Sequence, residues 1–361
     1  RFTNQLRQLV SASEERFPCG QSLSCFPSPP EFYRSRIEFA LHRREGGRLS
    51  YVMFDANKKA RYLEVSTVPL RPISERMIPL LRYLEREPLL SKSLFQINWR
   101  ADLAGQVMLS LLYHRKREDE SWSRAAIQLQ KSLGLYSVLG RSKSRLLHVG
   151  PVVLENRLPP VSTGSPRLYF RQNDTCFSQP NAYTNLDMLG WASRYFYAPS
   201  SDLLELYCGI GNFTCALAPG FRKVFATEVV RSAIPLCLQN LALNGLNNVA
   251  VKRLSAAETA EALLAVRKFK RLADINLAEY DFTHLLLDPP RSGLDTASRN
   301  FAMNFSHILY ISCNPQEMLR DLAFWQEQGS AYSLVAGALF DQFPDTEHLE
   351  AGLVLRRLPS S

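Results

Sequence analysis

The sequence predicts an α/β protein in two parts: a basic N-terminal α/β domain and a C-terminal doubly wound parallel sheet. Three observations lead there. The chain has 361 residues, and at roughly 100–200 residues per domain it has room for two. Beyond residue 160, near-continuous apolar runs alternate with helical stretches, as in strands covered by helices on both faces. The charge is also uneven. Residues 1–160 carry 26 Lys or Arg against 15 Asp or Glu, and residues 161–361 carry 17 against 19.

Composition narrows the class. Hydrophobic residues make up 46% and charged residues 21%, which excludes a disordered or collagen-like chain. No apolar run approaches the ~18 residues that cross a bilayer, and the first ten residues hold no stretch of secretory type. The expectation is a soluble, cytoplasmic protein with no membrane partner. Because the chain opens on Arg1, residues are expected to be missing upstream. The excess positive charge predicts a polyanionic partner, most commonly nucleic acid; a solvated basic surface is the alternative. The cysteines number seven, with no CxxC, and Cys19 and Cys25 have no second pair near them. Free thiols in a reducing compartment, and no metal site, are expected.

The elements follow in order. Residues 1–25 read as a helix and its exit, followed by a Pro-rich turn from Phe26 to Pro30. Arg36–Arg43, Leu49–Asp55 and Arg61–Val65 read as an antiparallel meander. Pro72–Glu87 has helical spacing. Leu94–Trp99 and Gln106–Tyr113 form a strand pair, Ser121–Leu133 a helix, and Tyr136–Val149 and Leu168–Arg171 further strand. Pro159–Gly164 is the linker, dividing a 1–160 domain from a 161–361 domain. In the second, Leu203–Leu206, Val224–Thr227, Val249–Leu254, Thr283–Leu287 and Ile308–Ser312 are the core strands. Arg231–Leu243, Ala256–Arg267, Thr296–Phe305 and Pro315–Glu327 are the helices between them. Ligands of such sheets bind at the carboxyl ends of the strands.

The residues at those ends carry chemistry. The first strand runs into Tyr207-Cys-Gly-Ile-Gly-Asn212, a glycine turn that lets a ligand approach the backbone. Glu228, after the second strand, can accept the ribose hydroxyls of an adenosine. Turn and acid together suit either NAD or S-adenosylmethionine; a plain turn and a surface acid are the bland alternative. The fourth strand ends Asp288-Pro-Pro-Arg291, a stiff non-helical exit. It resembles the substrate loop of S-adenosylmethionine-dependent methyltransferases that act on planar bases. The fifth ends at Cys313, placed either as a nucleophile or as a buried thiol. Near the end, His348 and Glu350 lie on one side of an extended segment.

Together these residues resemble the tRNA (uracil-5-)-methyltransferase family. The segments that carry the likeness are Phe177–Asn181, Leu203–Phe213, Asp288–Asp295, Ile311–Pro315 and Ala338–Pro344. It extends into the first domain through Leu94–Ile97 and Leu111–Lys116, and so covers most of the chain.

The resemblance implies a Rossmann-like class I methyltransferase domain behind an N-terminal α/β RNA-binding domain. It implies that Cys313 adds to C6 of a uracil, that C5 takes the methyl group of S-adenosylmethionine, and that a base then removes the C5 proton. That base corresponds to Glu350 rather than His348, and it requires a partly dry site. Gln179, Tyr207, Asn212, Glu228 and Asp288 match the cofactor positions, with Asp288 open to a contact with the uracil edge instead. The usual target is the T-loop uridine, position 54 in tRNA numbering. It must be extruded from its loop, so the partner is the tRNA T-arm and, by extension, other RNA with a T-like loop. Arg34, Arg36, Arg43, Arg44, Phe95, Gln96 and Arg291 are the candidates for RNA contact, each also readable as ordinary surface or core. A monomer is expected. Ribosomal uracil-5 methyltransferases are the nearer alternative. They typically carry a four-cysteine iron–sulfur site, and some add a β-barrel module. A role in tRNA folding on the same scaffold is the other.

Overall fold

The computed structural model describes residues 23–54, 59–117, 119–143, 145–161, 164–330 and 332–358. The helix expected over 1–25 falls largely outside them. Its last residues are a strand instead, β1 (Ser24–Phe26), which pairs in parallel with a strand near the other end of the chain.

The N-terminal sheet has seven strands: β2 (Arg36–Arg43), β3 (Leu49–Phe54), β4 (Ala60–Leu63), β5 (Leu94–Ala101), β6 (Val107–Tyr113), β7 (Ser137–Ser142) and β8 (Arg145–Val149). Their order is β4-β3-β2-β5-β6-β7-β8. The single strand expected over Tyr136–Val149 is thus a hairpin, folded where Lys143 takes a positive φ of 47°. All neighbours are antiparallel except β6 and β7, which the helix Asp119–Leu133 joins as a crossover. The helix Arg71–Arg86 buries Ile73, Met77, Leu80, Leu81 and Leu84, one stripe at helical spacing. That stripe packs on Phe39, Tyr51, Ile97 and Trp99.

A hairpin of β9 (Leu154–Leu158) and β10 (Leu168–Gln172) follows; the expected linker falls between its two strands, and its residues 162 and 163 lie outside the described ones. The second sheet adds β11 (Ala198–Leu206), β12 (Phe221–Thr227), β13 (Val249–Lys252), β14 (Phe282–Leu287), β15 (His307–Ser312), β16 (Tyr332–Phe340) and β17 (Glu350–Arg357). With β1 the order is β13-β12-β11-β14-β15-β17-β16-β1. β11 to β15 are parallel, as their two-sided apolar pattern predicts. Leu203 faces one core and Leu204 the other. β17 inserts antiparallel between β15 and β16.

The N-terminal sheet is tied to the β10 strand and the segment after it by a buried guanidinium. Arg100, on β5, donates from Nη1 to Gln172 Oε1 and Ser178 Oγ, both at 2.6 Å, and from Nη2 to the Cys176 carbonyl at 3.1 Å. Beside it Arg141 pairs with Asp174, which also accepts from Ser110 Oγ at 3.1 Å. Asn181 caps the helix Ala182–Tyr195 through its Oδ1 and grips Ser28 Oγ through its amide at 2.7 Å. Trp191 of that helix lies over Gly352 of β17; a Cβ there would sit 2.7 Å from the indole ring. Gly352→Ala is expected to lower stability by about 1–3 kcal/mol through overpacking, read as an earlier urea-unfolding midpoint. A midpoint equal to wild type would show that Trp191 moves aside freely.

Candidate active site

The strand ends converge as the parallel sheet requires. A cleft of about 730 Å³ opens at the carboxyl end of β11, and Gln179, Tyr207, Asn212 and Asp288 line it, together with Glu205, Asn185 and Phe177. Tyr207 holds a positive φ of 63°, a strained setting for a bulky residue. It turns the chain into the glycine loop, and its hydroxyl lies 3.5 Å from Ser298 Oγ. Gly209 has φ 57°, and no atom would lie within 4 Å of a Cβ there. Its N–H donates to Glu228 Oε2 at 2.9 Å, while Glu228 Oε1 accepts from the Val230 N–H at 2.7 Å. Glu228 is thereby fixed beside the loop with lone pairs to spare. Asn212 exchanges two amide hydrogen bonds with Asn185, at 2.9 and 3.2 Å.

Cys313 and Glu350 meet through strand register. Ser312 of β15 pairs with Ala351 of β17; Cys313 and Glu350 are the residues flanking this last pair, close enough for the Glu350 charge to act on the thiol. Glu350 is buried and Cys313 half-buried. Burial pushes the Cys313 thiol up to about 11, with the carboxylates of Glu350 and Asp288 adding to the rise and Arg291 opposing it. Burial, then Asp288, raises Glu350 to about 8. Burial, then Glu228, raises Asp288 to about 7. The resting pair is therefore a thiol beside a largely protonated carboxyl at neutral pH. His348 does not share Glu350's environment. It is exposed at the rim, where Arg291 Nη2 lies 3.2 Å from its Nδ1.

Sequence reading missed Glu205. Its side chain is 2% exposed, and Oε2 has no hydrogen-bond partner. Burial raises it to about 8. One acid inside the apolar run Leu203–Leu206 was the available signal. A buried, unpaired carboxylate oxygen in a cleft suits a cationic ligand group.

The RNA candidates divide. The Arg36 guanidinium lies 5.6 Å from the ring centre of Phe177, which is exposed at the cleft, and that of Arg34 lies 5.8 Å from the ring centre of Phe343. Arg291 lies against His348 and accepts at its carbonyl from Asn314. Phe95 stacks on His114 at 4.2 Å. Gln96 bonds Glu38 and Asn98 at 3.1 and 2.8 Å. Arg43 and Arg44 stand at and just past the far end of β2, away from the cleft.

The family model described as tRNA (Uracil-5-)-methyltransferase matches residues 5–358. The chain belongs to this family. A tRNA/tmRNA (uracil-C(5))-methyltransferase of Pseudomonas aeruginosa is 42% identical over 335 residues, covering 92% of this chain and 90% of that one. One from Nitratiruptor is 38% identical over 357 residues, covering 99% and 95%. In fold, the chain is similar to a Pyrococcus abyssi tRNA (uracil-54, C5)-methyltransferase solved with S-adenosyl-L-homocysteine. The TM-score is 0.72 at 18% identity, with 98% of this chain and 83% of that one covered. Among the described residues no helix is long and apolar enough to cross a membrane.

The register makes an electrostatic prediction. The thiolate form of Cys313 is disfavoured by the Glu350 carboxylate, which is ionised above its own pKa of about 8. Alkylation of Cys313 by iodoacetamide, followed by peptide mass spectrometry, should accelerate as pH rises toward 11. In Glu350→Gln the same rise should come at lower pH, because the anionic neighbour is gone. An unshifted profile would mean the two side chains do not face each other.

Proposed function

We propose that this family member methylates C5 of the T-loop uridine of tRNA, position 54, with Cys313 as nucleophile and Glu350 as base. The observation that carries the reading is the proximity of Cys313, Glu350 and Asp288, whose charges act on one another, with Asp288 also lining the cleft. The relatives are named for tRNA and tmRNA, and we extend the substrate to RNAs that present a T-like loop. The enzyme acts as a monomer on the T-arm, and residues up to 160 contribute the phosphate-gripping surface.

The cleft fits S-adenosylmethionine. The buried Glu205 carboxyl suits an ammonium group, Glu228, held on the Gly209 N–H, the ribose hydroxyls, and Gln179, Tyr207 and Asn212 the walls. Bound there, the cofactor supplies an electrophilic methyl group. Cys313 gives up its proton to water and its Sγ bonds to C6, and the electron pair displaced from the C5–C6 double bond makes C5 nucleophilic. Once C5 carries the methyl group, Glu350 in its ionised form takes the C5 proton. The electrons of that C–H bond restore the double bond, and Sγ leaves as the thiolate. A carboxyl raised to about 8 is a strong enough base for this and holds the proton afterwards. To Asp288, whose charge acts on both Glu350 and Cys313, we assign contact with the uracil edge as well as with the cofactor. Phe177, Arg34, Arg36 and Arg291, with Phe95 and Gln96 on the adjoining sheet, meet the extruded base and its flanking phosphates.

The test uses tRNA transcript carrying 5-fluorouridine together with S-adenosylmethionine. Fluorine at C5 cannot leave as a proton, so a band of protein bonded to RNA should survive a denaturing gel and vanish with Cys313→Ala. With unmodified tRNA, Glu350→Gln should accumulate the corresponding adduct, with hydrogen in place of fluorine at C5, and lose at least about 10² in turnover, the usual contribution of general base catalysis. Adduct with ribosomal RNA alone would move the substrate. Undiminished turnover in Glu350→Gln would remove it as the base.

A further inference from the structure

The two arginines that stand away from the cleft have company. Along β2, Arg36, Glu38, Ala40 and His42 share one face of the sheet. Ala40 pairs with Val52, and Val52 with Tyr62, so Tyr62 and Phe54 lie on that face too. Tyr62 is 48% exposed and Phe54 65%. The His42 ring meets Tyr62 edge-on at 5.4 Å, and the Arg44 guanidinium lies 5.3 Å from the Tyr62 ring centre. In the turn that follows, Arg43, Arg44 and Arg48 are exposed and Glu45 is the only acid. Among the described residues, the outer edge of the sheet thus carries two exposed aromatic rings, with the Arg44 guanidinium at Tyr62.

This chemistry fits unpaired bases. A base stacks on an aromatic face whatever its identity, and the cations meet the phosphates beside it. The strip also continues the face that reaches the cleft at Arg36. Six residues separate Arg36 from His42, roughly 20 Å at ~3.3 Å per residue, or about six stacked nucleotides at ~3.4 Å each. The nucleotide held in the cleft cannot reach that far.

Resting on the tRNA reading above, we propose that His42, Arg44, Phe54 and Tyr62 form a second RNA site. It stacks unpaired nucleotides of the substrate that lie outside the hairpin holding the target uridine.

The test measures equilibrium binding, at one salt concentration, of full-length tRNA transcript and of the isolated T-arm hairpin. The double variant Phe54→Ala/Tyr62→Ala should bind full-length tRNA about five- to hundredfold more weakly for each stacked base lost, with hairpin affinity unchanged. Tyr62→Phe, which keeps the ring, should bind as wild type. Circular dichroism of the double variant should match wild type, since both side chains are exposed. Unchanged affinity for full-length tRNA would overturn the proposal, as would an equal loss for the hairpin. Wild-type protein that binds neither RNA would overturn the tRNA reading instead.

Discussion

The cleft exists because Arg100 reaches out of one sheet to hold a segment that lines it. Its guanidinium is buried and, among the described residues, hydrogen-bonds only neutral acceptors: Gln172, Ser178 and the Cys176 carbonyl. Burying such a group without a carboxylate partner is costly, and the charge-assisted bonds offset part of that. Its pKa falls to about 10, chiefly through burial. The cost is spent on position. Arg100 and Arg141 fix residues 172–178 against the N-terminal sheet, and Gln179 and Asn181 follow directly. Asn181 in turn takes hold of Ser28, Asp341 and the Gln342 side chain. Three distant parts of the chain thus meet at the wall of one cleft.

The other constraint is electrostatic. Glu205, Asp288 and Glu350 are carboxyl groups raised toward or past neutrality, each first by burial and then by carboxylate neighbours. Like charges in a low-dielectric cleft cannot all ionise together. A cation entering the cleft lowers all three pKa values at once, so the protonation of the base and the filling of the cleft are linked.

The parallel strands were legible because they are apolar on both faces, and the candidate site residues could be proposed because they follow the ends of those strands. The rest was hidden for physical reasons. The helix Ala182–Tyr195 is buried on most sides, so no polar stripe marks its period. β17 enters antiparallel and breaks the strand–helix alternation that made its neighbours readable. β1 has only three residues, with Pro27 directly after it. Arg100 looks like any basic residue closing a strand, and only the fold shows that it points inward. The same charge count that pointed to a polyanion could not tell Arg36, at the cleft, from Arg44, a strand's length away.

The pairing of Ser24 with Ala338 has a consequence for biogenesis. A ribosome releases β1 long before its partner strand β16 exists. Through some three hundred residues of synthesis that short strand has nothing to pair with, and the N-terminal sheet must form between two halves of an unfinished one. The closing contact has very high sequence separation, the kind that slows folding most. Native order at the sheet edge is therefore set by the last strands made, and a chain stopped before β16 leaves its first strand exposed for the wrong partner.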